Sequence, residues 1–288
     1  TEDFHFLRKT REEALKKNTP FEKDMLLKSD LAKREIASIY RCDLSLIISS
    51  FEMDLLQDFF KIDNSILYHL PFLLNPISNS VKQYLAPFEK RKDFVFIGNF
   101  LHSPNVDAVL LLKERCWKSI KEQLPEAELH IYGAYETQQI KQLHNPQEGF
   151  LIKGYASSSS ETLQNAKVLL APLRYGAGIK GKLTEAMENG TPSITTSIGA
   201  EGMHGALPWS GAIADDLDLF VREAVALYTD PVKWQIAQEN GFDIINTLYS
   251  KDVLRASFSE NLNLLVENIE DHRNKNFMGS LLQYHSLK

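Results

Sequence analysis

The segment from Ala171 to Met187 concentrates glycines and cations at one place in the chain. It follows a predicted strand and opens a predicted helix, so its glycines would let the backbone turn tightly and approach a ligand closely. Amides at the start of a helix bind anions, and the helix dipole supports that binding. The glycines are Gly176, Gly178 and Gly181, and the cations are Arg174, Lys180 and Lys182. Backbone donors beside cations suit a diphosphate group.

Glu185 lies one helical turn beyond Lys182, next to this predicted anion site. A carboxylate there can accept hydrogen bonds from two vicinal hydroxyls, such as those of a ribose. The alternative interpretation is a flexible surface loop with a pair of solvated lysines. The spacing of glycines and lysines matches neither a Walker loop nor the dinucleotide-binding fingerprint. The residues alone favour a phosphate site and leave the plain loop open.

Short apolar strands alternate with helices between residues 93 and 250. The predicted strands are 94–97, 128–132, 149–152, 168–171 and 193–196, and the predicted helices are 105–121, 136–143, 160–165, 182–189, 215–228 and 231–248. This alternation predicts an α/β fold, a doubly wound parallel sheet with helices on both faces. Ligands of such sheets bind at the carboxyl ends of the strands, where the glycine-containing turns lie.

The rest of the chain is organised around this unit. Residues 5–41 are predicted to be helical, and strands at 44–48 and 65–70 flank a further helix. Prolines and turn-forming residues punctuate the stretch that follows, which indicates a linker. The predicted division is therefore 1–75, a linker at 76–92, a ligand-binding Rossmann-like domain at 93–250, and a C-terminal helix and tail at 251–288.

Three stretches of the chain resemble the C-terminal domain of family 4 glycosyltransferases, the group 1 glycosyl transferases. The first is Phe96-Ile97-Gly98-Asn99-Phe100 with Ser103-Pro104-Asn105-Val106-Asp107-Ala108, and the second is the glycine-rich segment 171–187. The third runs from Gly190-Thr191-Pro192-Ser193 to Ser197-Ile198-Gly199-Ala200-Glu201-Gly202-Met203. Residues 1–75 resemble, more weakly, the last third of the family's acceptor domain. The resemblance implies a GT-B-like fold with a donor domain and an incomplete acceptor-domain portion.

The resemblance also implies roles for individual residues. Glu185 matches the second glutamate of the family's Glu-x7-Glu motif, which binds the donor ribose, and the turn at Gly154-Tyr155-Ala156 matches the segment that contacts the base. The implied donor-binding residues are Gly98, Asn99, Gly154, Tyr155, Gly176, Gly178, Ile179 and Glu185. The implied catalytic residues, which balance the charge of the leaving diphosphate, are Arg174, Lys180 and Lys182.

The sequence departs from the family pattern in two places. The first glutamate of Glu-x7-Glu falls at Ala177, which leaves recognition of the donor sugar without its usual carboxylate. The front of the acceptor domain, with its glycine-rich loop, has no counterpart ahead of Thr1. We therefore expect the chain to be a fragment of a longer enzyme.

The function implied is that of a retaining glycosyltransferase, which moves a sugar from a nucleoside diphosphate sugar to an acceptor. The donor is a substrate, no cofactor or metal is expected, and the acceptor is an unidentified glycan or lipid-linked group. One alternative is a non-catalytic module that holds a sugar nucleotide or phosphate for a partner subunit. Another is a sugar-nucleotide epimerase on the same fold.

Composition narrows the remaining classes of function. The 288 residues are 43% apolar and 24% charged, as in a globular protein, and a net charge of −6 does not favour nucleic acid as a partner. Two distant cysteines, Cys42 and Cys116, show no metal-ligand spacing, and together with the lack of an export signal they favour a cytoplasmic protein. The basic residues between Arg8 and Arg41 suit either a solvated helical face or weak contact with acidic lipid headgroups.

Overall fold

A computed structural model describes residues 3–286, so the ends of the predicted first and last segments, residues 1–2 and 287–288, lie outside the described residues. Its strands form two parallel sheets, one of two strands (β1 and β2) and one of six. The strands are β1 (Ser45–Ile47), β2 (Leu67–His69), β3 (Lys92–Ile97), β4 (Leu129–Tyr132), β5 (Phe150–Gly154), β6 (Ala166–Ala171), β7 (Ser193–Thr195) and β8 (Gly211–Ile213).

The six-stranded sheet has the order β5-β4-β3-β6-β7-β8, with every neighbouring pair parallel. The chain starts at the central strand β3, moves outward to β5, crosses back to β6 and then continues to β8. This is the Rossmann order, and its direction reverses between β3 and β6. The predicted α/β doubly wound fold is confirmed, and the reversal opens a crevice at the carboxyl ends of β3 and β6.

Helices surround both sheets, and their bounds define the loops that carry the predicted site. The helices are α1 (His5–Lys16), α2 (Asp30–Tyr40), α3 (Ser50–Asp54), α4 (Asn79–Lys82), α5 (Ser103–Leu111), α6 (Trp117–Gln123), α7 (Gln138–Lys141), α8 (Ser159–Asn165), α9 (Gly181–Glu188), α10 (Ser197–Ala200), α11 (Leu217–Thr229), α12 (Pro231–Leu248), α13 (Lys251–Glu267), α14 (Ile269–Lys275) and α15 (Phe277–Ser286).

Apolar clusters cover the two faces of the six-stranded sheet. Alternate residues of β3 point to opposite faces: Phe94 and Phe96 pack with Trp117 on one side, and Val95 packs with Phe242 on the other. Because both faces are buried, the strands are apolar nearly throughout, as a parallel sheet requires. The burial fixes the position of the strand ends, and the loops that leave them line the crevice.

The structure differs from the predicted elements in a few places. The predicted helix 105–121 extends from α5 to α6 through a π-helical turn at Leu112–Cys116, and the predicted helix 136–143 shrinks to α7. Strand β8 was not predicted, because three residues beginning with glycine show no strand pattern on their own. A Cβ at Gly211 would lie 2.0 Å from the carbonyl oxygen of Ser193, so pairing with β7 requires glycine there.

The C-terminal segment packs back on the first part of the chain. The ring of Tyr68 packs at a tilt against Phe258 of α13, with centroids 5.4 Å apart, and Arg273 of α14 forms an ion pair with Asp43. The predicted tail is helical as α14 and α15. The predicted linker 76–92 contains α4 and ends inside β3, and the division of the chain there stays a prediction.

Several lysines of the first two helices have acidic partners on their own helix. Lys16 lies 2.8 Å from Glu12, and Lys33 lies 2.8 Å from Asp30. These pairs favour the solvated face over a cationic surface for lipid headgroups. Within residues 3–286, no helix is both long and apolar enough to cross a bilayer.

Candidate functional site

A cavity of about 520 Å³ lies where β3 and β6 end, at the reversal of the sheet order. It is lined by the turn after β3, the loop after β6 and the start of α9. Seven of the predicted site residues meet there: Gly98, Asn99, Gly176, Ile179, Lys180, Lys182 and Glu185. A second cavity of about 450 Å³ shares Gly98 and Asn99 with it and adds Tyr155 and the serines that precede α8. The two cavities together have room for a diphosphate with a nucleoside on one side.

The turn after β3 is built around Gly98. A Cβ at this position would lie 2.8 Å from the side chains of both Asn105 and Lys182, so only glycine lets these groups approach the backbone. Asn99 is used within the turn, since its Oδ1 accepts a hydrogen bond from the amide of Leu101. The turn therefore presents backbone and the Lys182 ammonium to the cavity.

Lys182 reaches from α9 to the turn after β3. Its Nζ donates to Oδ1 of Asn105 at 2.5 Å and lies 4.0 Å from the centroid of the Phe96 ring. Burial lowers the pKa of Lys182 to about 7. Among the described residues, no carboxylate is paired with it. A negatively charged ligand in the cavity would supply the missing counter-charge and raise this pKa.

Lys180 lies at the N-terminal end of α9 and is buried. Its Nζ donates to the carbonyl oxygen of Gly178 at 2.9 Å, which fixes the loop two residues earlier. Burial lowers the pKa of Lys180 to about 8, and the neighbouring Arg11 acts in the same direction. The first amides of α9 have no partner within the helix and complete an anion-binding end.

Glu185 lines the cavity one turn into α9, as its spacing from Lys182 predicts. One of its carboxylate oxygens accepts a hydrogen bond from the hydroxyl of Ser159, at the start of α8. This contact directs the carboxylate toward the junction of the two cavities. Ser159 was not singled out from the sequence, because it lies in a run of four serines that looks like an ordinary turn.

Four predicted residues lie outside the lining of the main cavity: Tyr155, which lines the second cavity, Arg174, Gly154 and Gly178. Arg174 is exposed and forms a two-bond ion pair with Asp107 of α5. Gly154 ends β5 with a φ of +78°, directly before Tyr155. Gly178 has a φ of +61°, and its amide donates to Oε1 of Glu52 at 3.0 Å. This amide is therefore already paired, whereas the sequence predicts that it faces a phosphate.

Polar groups outside the predicted set of site residues also reach the cavity. Asp3 and His102 both line it, and Arg8 lies between them, 2.5 Å from an oxygen of Asp3 and 2.6 Å from Nε2 of His102. Burial and the nearby Arg8 lower the pKa of His102, so the neutral ring accepts from the guanidinium. Arg8 belongs to α1, which carries no recognisable motif, so only the folded structure shows its place beside the cavity.

Arg11 of α1 joins the first part of the chain to the loop after β6. Its guanidinium donates to both carboxylate oxygens of Glu201 at 2.8 Å and to the carbonyl oxygen of Gly176, also at 2.8 Å. Phe21 and Phe51 flank the guanidinium at 5.1 and 5.2 Å from their ring centroids. Arg11 is buried and Glu201 is only 15% exposed, so the pair helps to hold the wall of the cavity in place.

A cluster of possible metal ligands lies in a different cavity. Side-chain atoms of Asp93, Glu128 and His130 fall within 4.8 Å of one another, and Nε2 of His130 is 2.8 Å from Glu128. His130 is expected from the sequence to be a core residue, but it is 23% exposed and pairs with Glu128. The register of β3 and β4 brings these residues together, so their sequence spacing shows no ligand pattern.

Comparison with known proteins identifies the part of the chain around this cavity. Residues 91–230 match the family model described as glycosyl transferases group 1. This stretch is therefore similar to a group 1 glycosyltransferase domain. The chain is also 26% identical, over 175 residues, to an uncharacterized 44.6 kDa protein of the cps region of Klebsiella pneumoniae. That match covers 58% of this chain and 45% of the relative.

Solved glycosyltransferase structures share the fold of most of the chain. A TarM mutant from S. aureus, in complex with Fondaparinux, alpha-GlcNAc-glycerol and UDP, has a TM-score of 0.65 at 15% identity, covering 82% of this chain and 47% of TarM. The pneumococcal O-GlcNAc transferase GtfA, in complex with UDP and GlcNAc, has a TM-score of 0.62 at 15% identity, covering 82% and 48%. These structures confirm the GT-B-like fold, and the chain spans about half the length of these relatives.

Proposed function

We propose that this chain forms the donor-binding part of a retaining glycosyltransferase whose donor is a uridine diphosphate sugar. The observation that carries the proposal is the meeting of Lys182, Lys180 and the amino end of α9 at the sheet reversal, one turn from Glu185. The TarM and GtfA structures contain UDP, which supports uracil as the base of the donor.

The proposed chemistry follows from the charges around the cavity. When the bond between the anomeric carbon and the diphosphate breaks, its electron pair moves to the diphosphate oxygen. Preorganised amides and ammonium groups stabilise that charge without reorganising, which lowers the barrier. Lys180 and Lys182 are the proposed cations, and Glu185 is proposed to hold the ribose hydroxyls. Arg174 acts indirectly, by its ion pair with Asp107 beside the first turn.

A second candidate function is a binding module that acts with a partner subunit. Two observations favour it: Ala177 carries no carboxylate for a sugar, and the amide of Gly178 is already bonded to Glu52. In this case the chain would hold the nucleotide tightly but transfer no sugar. The acceptor, a glycan or a lipid-linked group, would then bind to the partner.

Titration calorimetry of the chain with UDP, GDP and ADP tests the proposal. We expect saturable binding of UDP, weaker binding of the other two, and loss of UDP binding in Lys180→Ala. The chain is then incubated with uridine diphosphate sugars and hydroxyl-bearing acceptors, and NMR gives the anomeric configuration of any product. Retained configuration supports the enzyme, and UDP binding without turnover supports the module. A lack of binding by all three nucleotides would refute both.

A further inference from the structure

Glu52 of α3 is a carboxylate buried between two parts of the chain. Glu52 is only 1% exposed. Its Oε1 accepts hydrogen bonds from the amides of Phe4 at 2.9 Å and Gly178 at 3.0 Å. Oε2 is buried without a hydrogen-bond partner among the described residues. Burying a carboxylate is costly, so one with a single satisfied oxygen calls for an explanation beyond packing.

Gly178 is held from both sides by charged side chains. Glu52 binds its amide, and Lys180 binds its carbonyl oxygen. A Cβ at Gly178 would lie 2.7 Å from the Cβ of Asp3, and its φ of +61° is a conformation that suits glycine. The loop after β6 is therefore bent at Gly178 and locked there, so that Ile179 and Lys180 line the cavity next to it.

The loop offers no acidic group of its own at this point. Ala177 is 8% exposed and packs in an apolar cluster with Phe4, Phe6 and Leu7. The carboxylate that fixes the bend comes instead from Glu52, 126 positions earlier in the chain. Because the same oxygen binds Phe4, it also fastens the segment that carries Asp3, which lines the opposite part of the cavity.

We propose that Glu52 is a positioning residue for the loop after β6. It fixes the bend at Gly178 and ties this loop to the segment that begins at Asp3. The proposal rests on the proposed function, because it concerns how that loop presents its donors to a diphosphate. Glu52 itself does not line the cavity and acts through Gly178.

The ionisation of Glu52 provides a readout that separates this role from ordinary packing. Burial raises the pKa of Glu52 to about 7, and the charge of Asp3 acts in the same direction. The other charged groups near it are Lys180, whose charge lowers the pKa of Glu52, and the Arg11–Glu201 pair beside Lys180. An ionised carboxylate is a stronger acceptor than a protonated one, so the bend is held more firmly above pH 7 than below it.

Calorimetry of UDP binding to wild type, Glu52→Gln and Glu13→Gln tests this role at two pH values. Glu13 is 67% exposed on α1 and serves as the matched control. Titration of UDP affects all three proteins alike, so differences between variants count. Loss of the Glu52 charge also removes an influence that raises the pKa of Lys180, so a measurement of the Gly178 amide resonance is needed to separate the two effects. We expect Glu52→Gln to bind UDP about tenfold more weakly than wild type near pH 8 and within about twofold near pH 6. Glu13→Gln should match wild type at both.

A second measurement needs no nucleotide. The amide proton resonance of Gly178 should shift with pH in the wild type, with a midpoint near 7, and should lose that titration in Glu52→Gln. The assignment would be overturned by two results together. The UDP affinities of wild type and Glu52→Gln would differ equally at both pH values, or not at all, and the Gly178 resonance would not titrate. A wild type that titrates at Gly178 but binds no nucleotide would instead refute the proposed function, and with it the role of the loop.

Discussion

Replacing Lys182 with methionine removes a buried ammonium and keeps the length of the side chain. In the structure this ammonium contacts Asn105 and the ring of Phe96 and has no carboxylate partner among the described residues. A hydrogen bond to a charged group is worth about 1.5–3 kcal/mol, so Lys182→Met should weaken UDP binding by about 10- to 100-fold. Lys118→Met, at a side chain 89% exposed on α6, is the control and should leave the affinity unchanged.

The pH dependence gives the second part of this prediction. The pKa of Lys182 is about 7 in the free protein, and bound diphosphate needs the protonated form. The contribution of Lys182 to UDP affinity should therefore be greatest below pH 7 and fall as the pH rises above it, opposite in sign to the contribution of Glu52. The affinity lost in Lys182→Met should be larger near pH 6 than near pH 8, and calorimetry in two buffers should detect proton uptake by Lys182 on binding. In Lys182→Met, the fall of UDP affinity with rising pH that remains should have its midpoint nearer pH 8, because the pKa of Lys180 is about 8.

The same pKa shift predicts the effect on stability. The pKa of Lys182 is lowered from 10.5 to about 7 by folding, so between these values the unfolded chain binds more protons and stability rises with pH. Lys182→Met lacks this dependence and should unfold at the same or a higher temperature at neutral pH. Retention of UDP affinity within about twofold, or an unchanged pH profile, would refute the role of Lys182.

Three further predictions concern neighbouring residues. Glu185→Gln should weaken UDP binding by about tenfold but leave pyrophosphate binding unchanged, as competition calorimetry would show; equal losses for both ligands would contradict the ribose contact. Arg174→Ala should change UDP affinity by less than about twofold, because an exposed pair with Asp107 is worth at most about 1 kcal/mol; a larger loss would place the guanidinium on the donor. Arg11→Ala should lower the free energy of unfolding by about 3–5 kcal/mol by leaving Glu201 unpaired, measured by urea denaturation, and an unchanged midpoint would show the pair to be dispensable.

Local patterns were sufficient for most of the main sheet. The apolar strands β3, β4, β5 and β6 and the long helices α11 and α12 have periods that need no tertiary information. The exceptions have a common cause, since β8 and α7 are too short to show a period and exist because neighbouring elements support them. Gly211 is an example, because its place beside Ser193 is a property of the paired sheet.

The amino-acid sequence alone determined the doubly wound fold and the glycine-rich loop with Lys180, Lys182 and Glu185, because backbone permissiveness, charge and helical spacing are local properties. Tertiary structure decided which groups face the cavity. It paired Arg174 with Asp107, brought Asp3 and His102 to the cavity wall, and placed Glu52 on the amide of Gly178. These contacts join residues far apart in the chain, and they depend on how the first helices dock against the sheet, which no local pattern encodes.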